Sequence, residues 1–161
     1  MRRILLYFLL LLRSACNVYI LLKLWSLITN SPAPVIVVIS DSMAPTFHRG
    51  DILFLQNWQS TVEVGDIPVV WFPGRNLPMV HRCVQVNWKC TLIYYSQHIL
   101  TKGDNNKIND VFLYPSDRQS VLRSDIVGLV VAHVPLFGWV AIAPRESLQC
   151  VRLFIRRLTT F

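Results

Sequence analysis

The chain has 161 residues and a mass of 18.6 kDa, which is enough for one domain and a short extra segment. Hydrophobic residues make up 53% of the sequence and charged residues only 16%, against roughly 25% in average soluble proteins. This composition excludes a disordered chain. It also argues against an ordinary soluble domain, because a core of this size does not need so much apolar material.

The net charge of +7 lies at the two ends of the chain. Residues 31–141 contain eight acidic and eight basic side chains and are therefore neutral, whereas residues 1–30 contain four cations and no acid. Positive ends beside apolar sequence are typical of membrane proteins. A nucleic-acid binder needs a basic face on its folded domain, so the neutral centre argues against that class.

Two apolar runs near the N-terminus predict a membrane helix. Residues 4–12 are unbroken apolar sequence, and a second run at 18–28 follows Arg13. Roughly 20 apolar residues span a bilayer, so we predict one retained transmembrane helix within residues 4–29. The alternative is a signal peptide cleaved near Cys16. We favour the retained helix, because cleavage there would leave the second run as an orphan segment.

Basic side chains give this helix its expected orientation. Arg2 and Arg3 predict a cytosolic N-terminus by the positive-inside tendency, which places the rest of the chain in a secretory lumen. Lys23 lies close enough to the end of the helix to reach the membrane surface. Arg13 at mid-membrane costs a few kcal/mol unless it snorkels or finds a partner.

The middle of the chain predicts a small, mostly antiparallel β-domain tethered by the N-terminal helix. Short apolar or β-branched runs are separated by turns rich in Gly, Asp and Asn. The predicted strands are Val35–Ile39, Asp51–Leu55, Ile67–Phe72, Met79–Val86, Thr91–Tyr95 and Ile126–His133. Lys102 to Asp110 is predicted to be a loop.

We expect three segments: a membrane helix at 1–30, the β-domain at 31–143 and a basic C-terminal segment at 144–161. Apolar residues in the last segment recur at helical spacing, which predicts a short amphipathic helix. Two interpretations stay open. The helix lies on a membrane, or it packs on the β-domain or on a partner.

The four cysteines contain no C-x-x-C pair, so the pattern favours neither a zinc site nor a thioredoxin-like motif. We predict buried free thiols. A disulfide between Cys83 and Cys90 is the alternative in an oxidising compartment. No nucleotide or metal motif is visible in the sequence, and no cofactor is expected.

Four candidate side chains lie near predicted strand ends. Ser42 follows the first predicted strand, His81 lies in the apolar run around 79–86, and Asp104 and Asp110 lie in an Asx-rich loop. General rules do not select these residues. Such serines are usually turn residues or caps, buried histidines are usually satisfied in the core, and Asx-rich loops usually satisfy their own backbone.

Taken in order, six stretches of the chain resemble the catalytic subunits of the eukaryotic endoplasmic-reticulum signal peptidase complex, which are type I signal peptidases. The resemblance covers residues 15 to about 141. Any single stretch is weak, but the ordered combination is specific. The stretches are Val35-Ile-Val-Val-Ile-Ser-Asp-Ser-Met-Ala-Pro45, Phe47-His-Arg-Gly-Asp-Ile-Leu-Phe-Leu55, Val64-Gly-Asp-Ile-Pro-Val-Val-Trp-Phe72, Pro78-Met-Val-His-Arg82, Leu100-Thr-Lys-Gly-Asp-Asn-Asn106 and Asp125-Ile-Val-Gly128.

The resemblance implies a role for each candidate residue. Ser42 is expected to be the nucleophile and His81 its general base. Asp110 is expected to orient and electrostatically support His81, and Asp104 to have a supporting role. Ser40 is expected to stabilise the oxyanion, together with the backbone N–H of Ser42. A serine needs such a base, because its hydroxyl is a poor nucleophile while protonated.

The resemblance also implies a function. The chain is expected to be a serine endopeptidase of the endoplasmic-reticulum membrane that removes N-terminal signal peptides from secretory and membrane precursors. Its expected partners are these signal peptides, accessory subunits of the complex and membrane lipid, with no nucleic acid. The alternative is a non-catalytic membrane-tethered paralogue that binds peptides or acts as a scaffold in the same complex.

Overall fold

A long N-terminal helix begins the fold. The computed structural model describes residues 2–90 and 95–143, and helix α1 spans Arg2–Ile28. The helix is long and apolar enough to cross a membrane, and none of its residues is buried against the other described residues. Asn30 then adopts a left-handed backbone with φ of 50°, a conformation in which asparagine often follows the end of a helix. The predicted helix is therefore present.

Within the described residues, eight short strands follow the helix and form two antiparallel sheets. The first sheet has the order β1-β2-β8-β3-β4, and the second has the order β5-β6-β7. The predicted fold class, mainly antiparallel β with an N-terminal helix, is confirmed. The strands are β1 (Val35–Val37), β2 (Ile52–Gln56), β3 (Pro68–Val70), β4 (Met79–Val80), β5 (Arg82–Cys90), β6 (Tyr95–Lys102), β7 (Val121–Leu122) and β8 (Ile126–Val134).

The chain passes from one sheet to the other at His81. The prediction of a single strand over 79–86 was wrong, because β4 ends at Val80 in the first sheet and β5 begins at Arg82 in the second. His81 therefore lies between two sheets that meet. A β-bulge between Cys83 and Gln85 bends β5 directly after the crossing.

The position of strand β6 differs from the predicted strand over residues 91–95. The predicted strand 91–95 lies mostly outside the described residues, and β6 begins only at Tyr95. It then runs to Lys102, through sequence that was not predicted to be a strand. Its inward-facing positions include the buried polar residues Gln97 and Thr101, so the alternation of apolar and polar residues is hidden.

Two clusters of buried side chains hold the sheets together. The first cluster consists of Met43, Phe47, Leu53, Leu55 and Val69. It anchors the segment that follows β1 onto the first sheet. The second cluster lies where the sheets meet and consists of Val62, Val70, Phe72, Cys83, Ile99, Tyr114, Val121, Ile126 and Leu129.

The predictions for the C-terminus and the cysteines have separate outcomes. Residues 139–143 are helical, and the predicted amphipathic segment at 144–161 lies outside the described residues. The boundaries of the three predicted segments stay predictions. Cys83 is buried as expected. The expectation of a buried thiol was wrong for Cys16, which is exposed on α1, and for Cys90, which is exposed at the end of β5. Cys83 and Cys90 are not joined by a disulfide.

The loop after β8 packs against a glycine before β2. Gly50 has φ of +94°, and its carbonyl accepts a hydrogen bond of 2.8 Å from the N–H of Gly138. A Cβ at Gly50 would overlap the indole ring of Trp139. Only glycine combines this backbone with so close a contact.

We expect Gly50→Ala to destabilise the protein by about 2–4 kcal/mol, since it adds overpacking to the cost of a left-handed alanine. Gly74→Ala is the matched control. Gly74 has φ of +81° with no atom within 4 Å of a Cβ, so about 1–2 kcal/mol is expected. Thermal unfolding of the detergent-solubilised full chain measures both. Equal losses would contradict the packing role of Gly50.

Candidate active site

Ser42 lies in a turn whose neighbouring side chains are anchored in the hydrophobic core. The turn follows β1, and the N–H of Ala44 donates to the carbonyl of Asp41 at 3.1 Å. Met43 and Phe47 are 2% and 4% exposed and bury their side chains in the first cluster. Because Met43 points into the core, its neighbour Ser42 is directed away from it and remains half-buried.

His81 brings Ser42 and Asp110 into one chain of hydrogen bonds. Nε2 of His81 lies 3.0 Å from Oγ of Ser42, and its Nδ1 lies 2.6 Å from Oδ2 of Asp110. His81 is 5% exposed and Asp110 is fully buried at the start of the 3-10 helix Asp110–Leu113. A carboxylate on one imidazole nitrogen leaves the other free to accept a proton from serine.

Two further buried residues extend this chain beyond Asp110. Oγ1 of Thr101 donates to Oδ2 of Asp110 at 2.8 Å, and the hydroxyl of Tyr114 lies 2.9 Å from Oγ1 of Thr101. The N–H of Thr101 donates to the same Tyr114 oxygen at 2.9 Å. Burial raises the pKa of Tyr114, so its phenol stays protonated and donates to Thr101.

Asp104 belongs to a separate network beside the site. Arg82 donates to its Oδ1 at 2.8 Å and to its Oδ2 at 2.7 Å, and Thr46 donates to Oδ2 at 2.5 Å. The hydrogen bonds from Arg82 hold the pKa of the Asp104 carboxyl below its usual value, although burial opposes them. Asp104 thus joins the loop that contains it to Thr46 and to the first residue of β5.

Ser40 and the loop at 103–106 lie on either side of Ser42, the candidate nucleophile. Oγ of Ser40 lies 3.3 Å from Oγ of Ser42. The N–H of Asn105 donates to the carbonyl of Ser42 at 2.9 Å, and its side-chain amide donates to the carbonyl of Asp41 at 3.1 Å. A Cβ at Gly103 would lie 2.7 Å from the Ser42 carbonyl oxygen, so only glycine permits this approach.

The carboxylate of Asp41, next to the candidate nucleophile, has a partner within the turn. Its Oδ1 accepts a hydrogen bond of 3.0 Å from the backbone N–H of Arg49. The guanidinium of Arg49 lies over the ring of Trp139, 5.5 Å from the ring centroid. Asp41 therefore closes the turn that carries Ser42.

The structure brings Ser42, His81 and Asp110 together as the sequence predicted, with Ser40 beside them and Asp104 in the adjoining network. Sequence reasoning missed four contributors, Thr101, Tyr114, Arg82 and Asn105. Arg82, Thr101 and Asn105 lie within the stretches that resemble the family, whereas Tyr114 lies outside all of them. Among residues 2–90 and 95–143, no group of three or more His, Cys, Asp and Glu side chains is placed to hold a metal.

Comparison with known proteins gives the family. The chain is 42% identical over 133 residues to the signal peptidase complex catalytic subunit SEC11 of Scheffersomyces stipitis, covering 81% of this chain and 77% of that protein. It is 43% identical over 123 residues to the protein of the same name from Colletotrichum graminicola, covering 75% and 69%. This chain belongs to the SEC11 family of signal peptidase complex catalytic subunits. No family model matches it.

Membership of the SEC11 family sets the context of the site. The chain is a peptidase subunit of the endoplasmic-reticulum membrane, and α1 is the one helix among the described residues that is long and apolar enough to span it. SEC11 of Debaryomyces hansenii is 41% identical over 128 residues, covering 78% of this chain and 74% of that protein. The cluster around Ser42 lies in the β-part of the fold, which follows the helix.

We expect Asp104→Asn to destabilise the SEC11-family chain by about 1 kcal/mol at pH 7, because it removes the charge that pairs with Arg82. The pKa of Asp104 is depressed in the folded state. The stabilisation of the folded state by Asp104 is therefore fully present above the pKa of an unfolded carboxyl group, about 4. It is lost as the pH falls through the pKa that Asp104 has in the folded state.

Thermal unfolding of the detergent-solubilised wild-type and Asp104→Asn chains across pH checks this. The difference between them should shrink on acidification below about pH 4. Asp117→Asn is the control, since Asp117 is largely exposed and 3.9 Å from Arg118. A difference that stays constant down to strongly acidic pH would contradict the ion-pair role of Asp104.

Proposed function

We propose that this chain is a serine endopeptidase that removes N-terminal signal peptides from secretory and membrane precursors. Ser42 is the nucleophile, His81 the general base and Asp110 the residue that orients His81. The observation that carries the proposal is the unbroken chain of hydrogen bonds, 3.0 Å from Ser42 to His81 and 2.6 Å from His81 to Asp110, in a member of the SEC11 family.

The geometry supports acylation of Ser42. His81 Nε2 takes the Ser42 proton while Oγ forms a bond to the carbonyl carbon of the peptide to be cut. The imidazolium that forms is stabilised by the Asp110 carboxylate at its Nδ1. Collapse of the tetrahedral intermediate breaks the C–N bond, and His81 returns the proton to the leaving amine, the new N-terminus of the mature protein.

Two groups near Ser42 donate hydrogen bonds to the oxyanion that forms during the reaction. The hydroxyl of Ser40, 3.3 Å from Oγ of Ser42, is close enough to donate to an oxygen on the carbon that Ser42 attacks. The backbone N–H of Ser42 is the second donor. One such donor contributes about 3 kcal/mol to the stability of the transition state, so loss of the Ser40 hydroxyl slows cleavage about 10²-fold.

Water completes the reaction. His81 accepts a proton from a water molecule, whose oxygen attacks the acyl carbon of the Ser42 ester. The C–O bond to Ser42 breaks, and His81 returns the proton to Oγ. The signal peptide leaves with a new carboxylate, and the chemistry needs no metal or cofactor.

The substrate meets the site along a strand edge. Strand β1 lies at the end of the first sheet, with β2 as its partner there, and the chain leads from it directly to Ser42. An extended peptide can add to such an edge through backbone hydrogen bonds. Its side chains then alternate between the two faces of the extended sheet.

Helix α1 places this chemistry at a membrane surface. Arg2 and Arg3 keep the N-terminus in the cytosol, so the β-part lies in the lumen. Lipid surrounds the exposed apolar side chains of α1. Accessory subunits of the signal peptidase complex are its protein partners.

Thr101 and Tyr114 act as positioning residues for Asp110. Tyr114 donates to Thr101, and Thr101 in turn donates to Oδ2 of Asp110, the same oxygen that contacts His81. The other carboxylate oxygen is buried and has no hydrogen-bond partner in the described part of the chain. The orientation of Asp110 therefore depends on the donors at Oδ2.

We expect Ser42→Ala to abolish cleavage, with a loss of at least about 10⁴-fold, because no other group replaces the nucleophile. The measurement is processing of a radiolabelled secretory precursor by membranes that contain the full chain and its companion subunits. Ser60→Ala is the matched control, since Ser60 is an exposed serine in a bend. Equal cleavage by wild type and Ser42→Ala would support the non-catalytic alternative.

We expect Thr101→Val to slow cleavage of the precursor by about tenfold, because Asp110 loses the hydrogen bond of 2.8 Å that holds its Oδ2 in position against His81. Thr101→Ser keeps the hydroxyl and should keep most of the rate. The same precursor-processing assay measures both variants, and thermal unfolding of the full chain checks that each is folded. Cleavage by a folded Thr101→Val chain at the wild-type rate would contradict the positioning role of Thr101.

A further inference from the structure

Arg13 lies at the centre of the apolar span of α1. Nine residues, Ile4–Leu12, precede it, and nine more, Ser14–Leu22, separate it from Lys23. The helix rises 1.5 Å per residue, so Arg13 lies about 15 Å along the axis from both Arg3 and Lys23. The span between those two cations matches the hydrocarbon thickness of about 30 Å.

A position of α1 with Arg13 at the membrane surface agrees less well with the length of the helix. If Arg13 lay at the membrane surface, the remaining helix from Ser14 to Ile28 would rise only about 22 Å, which is too short to span. The apolar residues Ile4–Leu12 would then be in water. The register with Arg13 at mid-depth avoids both costs.

The side chain of Arg13 has no partner among the residues that the structure describes. Helix α1 contains no acidic residue, and Arg13 makes no ion pair or side-chain hydrogen bond within residues 2–90 and 95–143. A guanidinium cannot escape by losing its proton. Lys23 differs, because it lies near the end of α1 with its ammonium 5.6 Å from the ring centroid of Tyr19.

Asn17 adds a second polar side chain to the face of α1 that carries Arg13. Asn17 lies four residues after Arg13, so the two side chains are neighbours on the helix surface. Ser14, by contrast, satisfies its hydroxyl by donating to the carbonyl of Leu10 at 3.0 Å. Charged and amide side chains at mid-membrane almost always face other helices rather than lipid. The Arg13–Asn17 face is therefore the side of α1 that needs a protein neighbour.

We propose that the Arg13–Asn17 face of α1 packs against a membrane-spanning helix of another subunit that carries an aspartate or glutamate at mid-bilayer depth. Charge complementarity identifies this occupant. A lipid phosphate lies about 15 Å away along the axis, which exceeds the length of an arginine side chain. A carboxylate at the same depth pairs with the guanidinium directly, and Asn17 supplies a second hydrogen bond across the interface.

The first test maps this face by photo-crosslinking. A photoreactive residue replaces Leu10, which lies on the same face three positions before Arg13, or Leu11, which lies on the opposite side. The full chain is expressed with its companion subunits in their native membrane. We expect Leu10 to give a protein crosslink at least about tenfold stronger than Leu11, to a spanning segment in which mass spectrometry finds a mid-depth carboxylate. Crosslinks only to lipid, equal crosslinks from both positions or a segment without a carboxylate would overturn the proposal.

The second test exchanges the charges. Arg13→Glu should reduce co-purification of the crosslinked subunit by about tenfold or more, and changing the partner's carboxylate to lysine should restore it. Lys23→Gln is the control and should leave co-purification unchanged. Failure of the double exchange to restore assembly, in chains that remain membrane-integrated, would overturn the proposal. If the Arg13→Glu chain does not insert into the membrane, the proposal is tested by the crosslinks from positions 10 and 11 in chains that keep Arg13.

Assembly and chemistry can be separated in these tests. The Ser42→Ala chain should give the same Leu10 crosslink as wild type, because Ser42 lies outside α1. Loss of cleavage with retained crosslinking supports both proposals. Retained cleavage in Ser42→Ala would remove the proposed chemistry but leave the interface intact.

Discussion

The buried hydrogen bond between His81 and Asp110 is the constraint on which the rest of the β-part depends. A buried carboxylate is costly unless donors surround it, and both residues are almost fully removed from water. His81 lies where the chain leaves the first sheet, and Thr101 brings a second donor from β6 in the other sheet. The two sheets therefore have to meet at one relative position, or the buried side chain of Asp110 loses its hydrogen-bond partners. The same requirement that fixes the packing also fixes the imidazole that faces Ser42.

Ser42, the proposed nucleophile, is held by different means, because a nucleophile has to remain accessible. Burial of Met43 fixes the turn from the side of the core, and the backbone and side chain of Asn105 hold the carbonyls of Ser42 and Asp41 from the other side. Asp104 links the Asn105 loop to Arg82, directly after His81. The loop that holds Ser42 is thus joined to the residue that follows His81. The Asp104 carboxylate contacts Thr46 and Arg82 and makes no hydrogen bond to Ser42 or His81.

The sequence was sufficient for the fold class and for the residues that converge, but not for the network around them. Local patterns gave α1 and most strands of the first sheet, since those strands are rich in β-branched residues. Strand β6 was missed because inward-facing Gln97 bonds the backbone of Val62 at 2.7 and 3.0 Å, so a polar residue occupies a core position. Thr101 and Tyr114 are distant from Ser42 in sequence and ordinary in type. Only the fold brings them to Asp110, and no spacing rule could have done so.

The junction between helix and sheet connects the position of the membrane to the position of the site. Trp25 packs on Phe54 with ring centroids 6.1 Å apart, and the Ser31 hydroxyl donates to the carbonyl of Val127 at 2.7 Å. These contacts attach the end of α1 to β2 and β8, so the helix does not end in a free linker. From there the chain enters β1 and reaches Ser42. The distance between the bilayer and the serine is then a property of the fold. In the proposed enzyme, a peptide bond is cut where an extended segment leaving the membrane first reaches this height. In such an enzyme, the depth of the site relative to the membrane contributes to the choice of the bond that is cut.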